Sequence, residues 1–147
     1  MKSLASAEVV SETRARLLKV EPLDRALWGR MTAMQMMRHV GCAYEVALGE
    51  RAVQRVKTRA PRVVKWVALR SGLTWPKNIK TTPELERVNE EPDGVWEELV
   101  EAAVVKMEAL ATRARECDHP IFGPMTATDW QRWGYLHADH HLRQFGR

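Results

Sequence analysis

Between Trp130 and Phe145 the chain sets aromatic, imidazole and amide side chains at helical intervals: Trp130, Trp133, His137, His140, His141 and Gln144. At about 100° per residue, all six fall within roughly 60° of His137, so one helix face carries three imidazoles and two tryptophans. His137 and His141, one turn apart, can grip a single metal ion. No strand alternation is sustained anywhere in the 147 residues, which makes an all-α four-helix bundle with an additional short helix and a long loop the simplest architecture. Facing helices of such a bundle build a site from side chains far apart in sequence.

Two histidines hold a metal weakly, and catalytic zinc sites usually take three protein ligands plus water. His39 is the best third ligand. It lies in a second helical stretch, Ala33 to Leu48, where Thr32 and Gln35 have the spacing of a capping box and Gly49 follows as a C-terminal cap would. Gln35, Met36, Ala43 and Val46 fall beside His39, so its imidazole points into an apolar seam. Cys42 also falls one turn beyond His39, but reads as a small buried side chain rather than a fourth ligand. Met34, Met37, Gly41, Tyr44 and Leu48 form a second apolar face on the same helix. A helix apolar on both sides has to be covered twice, and a homodimer is the expected cover.

Other elements follow from local punctuation. Ser6 to Lys19 is helix-compatible and ends before Pro22, and Pro61 opens a short helix that reaches Arg70 before Ser71-Gly72. Leu73 to Pro92, with three prolines, reads as a long loop. The longest helix is expected from Pro92 or Asp93 to about Arg115, with acids at its start and bases at its end to suit the helix dipole. A loop through His119-Pro-Ile-Phe-Gly-Pro precedes the final helix, which Thr126 or Thr128 caps. The loop that carries His119 could close over the site, but His119 is expected to serve the structure of that turn.

The whole chain, 1–147, reads as a single domain, with 45% hydrophobic residues and enough length to bury a core without metal or disulfide support. Two cysteines, Cys42 and Cys117, fit a reducing compartment. No apolar run approaches a membrane span, and the charged N-terminal stretch does not resemble a secretory signal, so a cytoplasmic protein is expected. The net charge of +4 is unevenly spread: nine Lys or Arg and no acid occupy Arg51 to Lys80, while eight acids and one Arg occupy Glu84 to Glu101. A basic segment facing the acidic one, within the fold or across a dimer, accounts for this pattern better than nucleic acid, because no aromatic interleaving or nucleic-acid motif accompanies it.

A histidine in the second helix followed near the C-terminus by His137-x-x-x-His141-x-x-Gln144 resembles the DinB/YfiT-like superfamily of metal-binding helical bundles. The stretch His119-Pro-Ile-Phe-Gly-Pro-Met-Thr126-Ala-Thr-Asp129-Trp130 further resembles a branch classed as a domain of unknown function. The resemblance covers nearly the whole chain apart from residues 50–90. It implies His39, His137 and His141 as metal ligands, and a function among thiol-dependent transferases, isomerases or hydrolases.

The expected function is therefore a metal-dependent hydrolase or thiol-dependent group transferase. Its divalent ion would be zinc or nickel, with iron or copper also suited to imidazole. Gln144 would orient His141, Trp130 and Trp133 would wall the pocket, Gln35 would stand near it, and His140 is the nearby group for proton transfer. Substrates would be a small molecule and a low-molecular-weight thiol. The alternative is a non-enzymatic metal- or ligand-binding bundle, because Asp139 points nearly opposite the histidines and no carboxylate shares their face.

Overall fold

The computed structural model describes residues 1–79, 81–88 and 94–147. Four long helices, α1 (Ala7–Leu17), α2 (Ala33–Leu48), α5 (Trp96–Arg113) and α6 (Ala127–Gln144), form a bundle, and two short ones, α3 (Pro61–Arg70) and α4 (Pro83–Val88), lie against α6 and α2 respectively. No helix among the described residues is long and apolar enough to cross a membrane.

Local chemistry explains the helix limits. At the start of α2 the Thr32 hydroxyl accepts from the Gln35 N–H at 3.1 Å while Gln35 Oε1 accepts from the Thr32 N–H at 2.9 Å. Two otherwise orphaned donors are thereby satisfied. Thr126 and Asp129 do the same for α6, so Thr126 and not Thr128 is its cap. Pro61 occupies the first turn of α3. Gly49 ends α2 at φ 74°, a left-handed conformation that costs glycine nothing.

The core lies between the four long helices, where Leu17, Met37, Tyr44, Met107, Leu110 and Leu142 are fully buried. α6 comes closest at Gly134, where a Cβ would sit 2.8 Å from both Leu110 Cδ2 and Leu4 Cδ1, and whose carbonyl accepts from Tyr44 Oη at 3.1 Å. Both apolar faces of α2 are covered inside the chain: Met36, Ala43, Met37, Tyr44 and Leu48 are all buried, with α5, α4 and α6 packed around them. The uncovered face from which a homodimer was expected is not found.

Two expectations are corrected. The segment expected as a long loop, Leu73 to Pro92, contains α4: Pro83 starts it, Glu84 and Glu86 sit in its first turn, and Leu85 is buried. Six residues are too short for helical periodicity to stand out. Positions 80 and 89–92 of that segment, and the expected start of the longest helix at Pro92 or Asp93, lie outside the described residues; the described helix begins at Trp96. Second, the stretch expected as a loop before α6 is an antiparallel hairpin, β1 (Cys117–His119) with β2 (Gly123–Met125), in which Cys117 pairs with Met125 and His119 with Gly123. Strands of three residues leave no room for alternation.

The basic segment is tied locally. Among the described residues its ion pairs reach Glu45 from Arg51, Asp118 from Arg55, and Asp129 from both Lys65 and Arg70. Asp129 joins α3 to α6. Burial alone would raise its carboxyl, but hydrogen bonds from Arg70, the Thr126 backbone and Lys65 outweigh that and hold it below the usual carboxylate value. Its stabilisation is present above about pH 4 and is lost as pH falls through the depressed folded value. Asp129→Ala is expected to cost about 1–3 kcal/mol at neutral pH. Urea unfolding measures this, and a midpoint equal to wild type would mean that solvent replaces the carboxylate without loss.

Candidate metal centre

α2 brings His39, and α6 brings His137 and His141, into one buried cluster, with ring centroids 5.2, 4.9 and 4.8 Å apart. Their potential ligand nitrogens all lie within 4.8 Å of one another. His39 Nε2 and His137 Nε2 are 3.3 Å apart. Two nitrogens at a zinc–nitrogen distance of about 2.0–2.1 Å in a tetrahedron stand about 3.4 Å apart. This edge is therefore already the size a metal requires.

The hydrogen bonds define the ring of His141. Gln144 Nε2 donates to the Trp28 carbonyl at 2.8 Å, which turns Gln144 Oε1 toward His141 Nδ1 at 2.9 Å. An amide oxygen only accepts, so His141 Nδ1 carries the hydrogen and Nε2 keeps its lone pair. His39 Nδ1 and His137 Nδ1 are buried with no hydrogen-bond partner. Buried polar atoms are nearly always paired, so each of these nitrogens carries a desolvation cost, and a metal held at the Nε2 edge would leave it in place.

Burial keeps these rings neutral. It pushes His39 down to about 4, assisted by His140, and carries His137 and His141 well below the ordinary value, with neighbouring imidazoles adding to the effect. The Gln144 hydrogen bond offsets part of the shift at His141. Three neutral imidazoles with available lone pairs fit a divalent cation.

The cluster opens onto a cavity of about 710 Å³ between α2, α3, α6, the hairpin turn and the segments 73–79 and 81–85. Trp133 stacks on His137 with centroids 4.7 Å apart and planes 9° apart, which fixes that ring. Trp130 is fully buried and donates its Nε1 hydrogen to the Cys117 carbonyl at 3.2 Å. Both tryptophans line the cavity. His140 lines it as well, 5.2 Å from His141 and between Trp28 and Trp75 at 6.0 and 6.1 Å. Burial lowers its pKa too.

Gln35 goes elsewhere. Its Oε1 belongs to the α2 cap, and the residue is not among the described residues that wall the cavity. Cys42 is half-buried against the core and does not join the histidine cluster. Asp139 pairs with Arg16 and Arg143, away from the histidines.

Two further residues wall the cavity, both from segments read as loops in the sequence. Trp75, from the basic segment, comes within 6.5 Å of His137 and donates to the Ala68 carbonyl. His119 does hold the hairpin turn, since its Nδ1 accepts from the Ile121 and Phe122 N–H groups, but its ring also lines the cavity. That leaves the hydrogen on Nε2, and burial pushes its pKa down to about 3.

A family model described as the DinB superfamily matches residues 7–145. Comparison with curated proteins and with solved structures found no match.

Proposed function

The chain belongs to the DinB superfamily, and from that premise we propose that it is a metal-dependent enzyme, a hydrolase or thiol-dependent group transferase, with His39, His137 and His141 as ligands of one divalent ion. The observation that carries this reading is the buried three-histidine cluster at the edge of a cavity, with its 3.3 Å Nε2 to Nε2 edge. Zinc and nickel suit the site best, and iron and copper also accept imidazole. Such an ion, when bound, supplies a Lewis acid that polarises a substrate group and makes water or a thiol more acidic.

The protein's own groups divide the remaining work. Gln144 holds the tautomer of His141, Trp133 holds the plane of His137, and His140, neutral and on the cavity wall, receives or returns a proton. A low-molecular-weight thiol and a second small molecule are the proposed substrates, and a cytoplasmic location fits the two free cysteines. A homodimer remains part of this proposal, although the α2 face that suggested it is covered within the chain. Light scattering tests it.

One observation favours a second reading, a non-enzymatic metal- or ligand-binding bundle: among the described residues that line the cavity there is no carboxylate. Elemental analysis of protein purified without a nickel column tests the shared premise, with about one equivalent of a divalent metal per chain expected from a three-ligand site. A metal-free protein that takes up no zinc would overturn it. Azide added to cobalt-substituted protein then separates the readings, since a spectral change means an exchangeable position and indifference means a closed site. Gln144→Met is expected to weaken zinc affinity by about 10–100-fold, the usual cost of losing an outer hydrogen bond to a ligand. Competition with a chromogenic chelator measures it, and unchanged affinity would mean that the Gln144 contact does not orient the ligand.

A further inference from the structure

We infer that the cavity takes a lipophilic ligand, a molecule with an uncharged hydrocarbon or aromatic body and one terminal carboxylate or thiolate that meets the histidine end. The contact of that terminal group rests on the metal reading above; the binding of the body does not.

The cavity's volume of about 710 Å³ is that of a small-molecule site. Its lining among the described residues includes no Lys, Arg, Asp or Glu. Away from the histidine cluster the walls are mostly hydrocarbon, Val46, Val64, Ala68, Leu85 and Ile121 among them, with Thr74, Thr81, Thr82 and the neutral His119 as the polar exceptions. A charge placed there would lose its water and meet no opposite charge, which disfavours ligands charged along their length. A peptide-like thiol with several ionised groups therefore fits the body of this cavity poorly. The groups able to meet a charged terminus, His39, His137, His140 and His141, converge on one side.

The rim agrees with the interior. Val63, Leu73 and Ile79 line the cavity yet remain 61%, 67% and 51% exposed. Scattered exposed hydrophobes are ordinary, but three that continue an apolar cavity out to solvent form an entrance whose surface a hydrocarbon ligand would cover.

Calorimetric titration of the full chain, metal-free and zinc-loaded, with acetate, hexanoate, decanoate and decanol tests the inference. Affinity is expected to rise along the carboxylates by about fourfold for each methylene buried. Zinc should strengthen decanoate and leave decanol unchanged. Val67→Asp puts a carboxylate on the wall at a half-exposed position, and Leu73→Asp puts one on the rim outside any helix. Each should weaken decanol by at least about tenfold while zinc stoichiometry and helicity stay at the wild-type level. An affinity that does not change with chain length, or glutathione binding more tightly than decanoate, would overturn the inference. Zinc bound stoichiometrically with a flat chain-length series sinks the lipophile and leaves the metal reading intact. Decanol bound with the expected chain-length dependence in a protein that takes up no zinc supports the lipophilic cavity and overturns only the contact of the terminal group.

Discussion

His39→Ala and His141→Ala are each expected to abolish stoichiometric divalent metal binding while helical content stays near that of the wild type. Either change leaves two imidazoles, short of the three protein ligands usual for a catalytic zinc site. The loss should exceed the about 10–100-fold that follows from removing an outer hydrogen bond alone. Folding should survive because the side chains that fill the bundle, among them Leu17, Met37, Leu110 and Leu142, do not include the cluster. Removing His39 also removes a buried imidazole nitrogen that has no partner, so the space it leaves is partly offset by a lost desolvation cost. Elemental analysis with circular dichroism decides the matter. Full metal retention in either variant would strike that histidine from the ligand set.

Metal-free protein is expected to lose several kcal/mol of stability as pH falls from about 6.5, the ordinary histidine value, toward 4. Burial pushes His39 down to about 4 and His119 to about 3, and His137 and His141 move in the same direction. Folded values below the unfolded one mean that the unfolded chain takes up protons first. The stability is therefore complete above about pH 6.5 and is withdrawn from there down to the folded values. His39 and His119 each contribute about 1.4 kcal/mol per pH unit in that window, with His137 and His141 acting in the same direction, against a total of about 5–15 kcal/mol for an ordinary domain. Acid unfolding should thus begin well above the range in which Asp129 is protonated. Zinc should move the transition to lower pH, until protons compete for the same nitrogens. Circular dichroism against pH, with and without zinc, follows both effects. Helicity that holds to pH 3 without metal would show that water reaches these rings and that burial does not govern them.

The limits of α2, α3 and α6 were legible in the sequence because capping boxes, a proline in the first turn and a left-handed glycine act within about one turn of where they stand. Helical periodicity likewise placed His137, His141 and Gln144 on one face. Periodicity assigns a direction within an element and carries no information on which element will dock there. The meeting of His39 with His137, 98 residues apart, was an inference about chemistry that only the packing of α2 against α6 turned into a 3.3 Å approach. Gln144 was visible as a neighbour of His141, but its orientation comes from the Trp28 carbonyl, 116 residues away. Trp75 and His119 read as a segment aromatic and a turn residue, and became cavity walls only when segment 73–79 and the hairpin folded over α6. The second apolar face of α2 looked in need of a partner chain until α5 covered it. What the sequence by itself determined were the longer helices and the faces they present; which faces meet, and what they enclose, was decided by burial shared between distant segments.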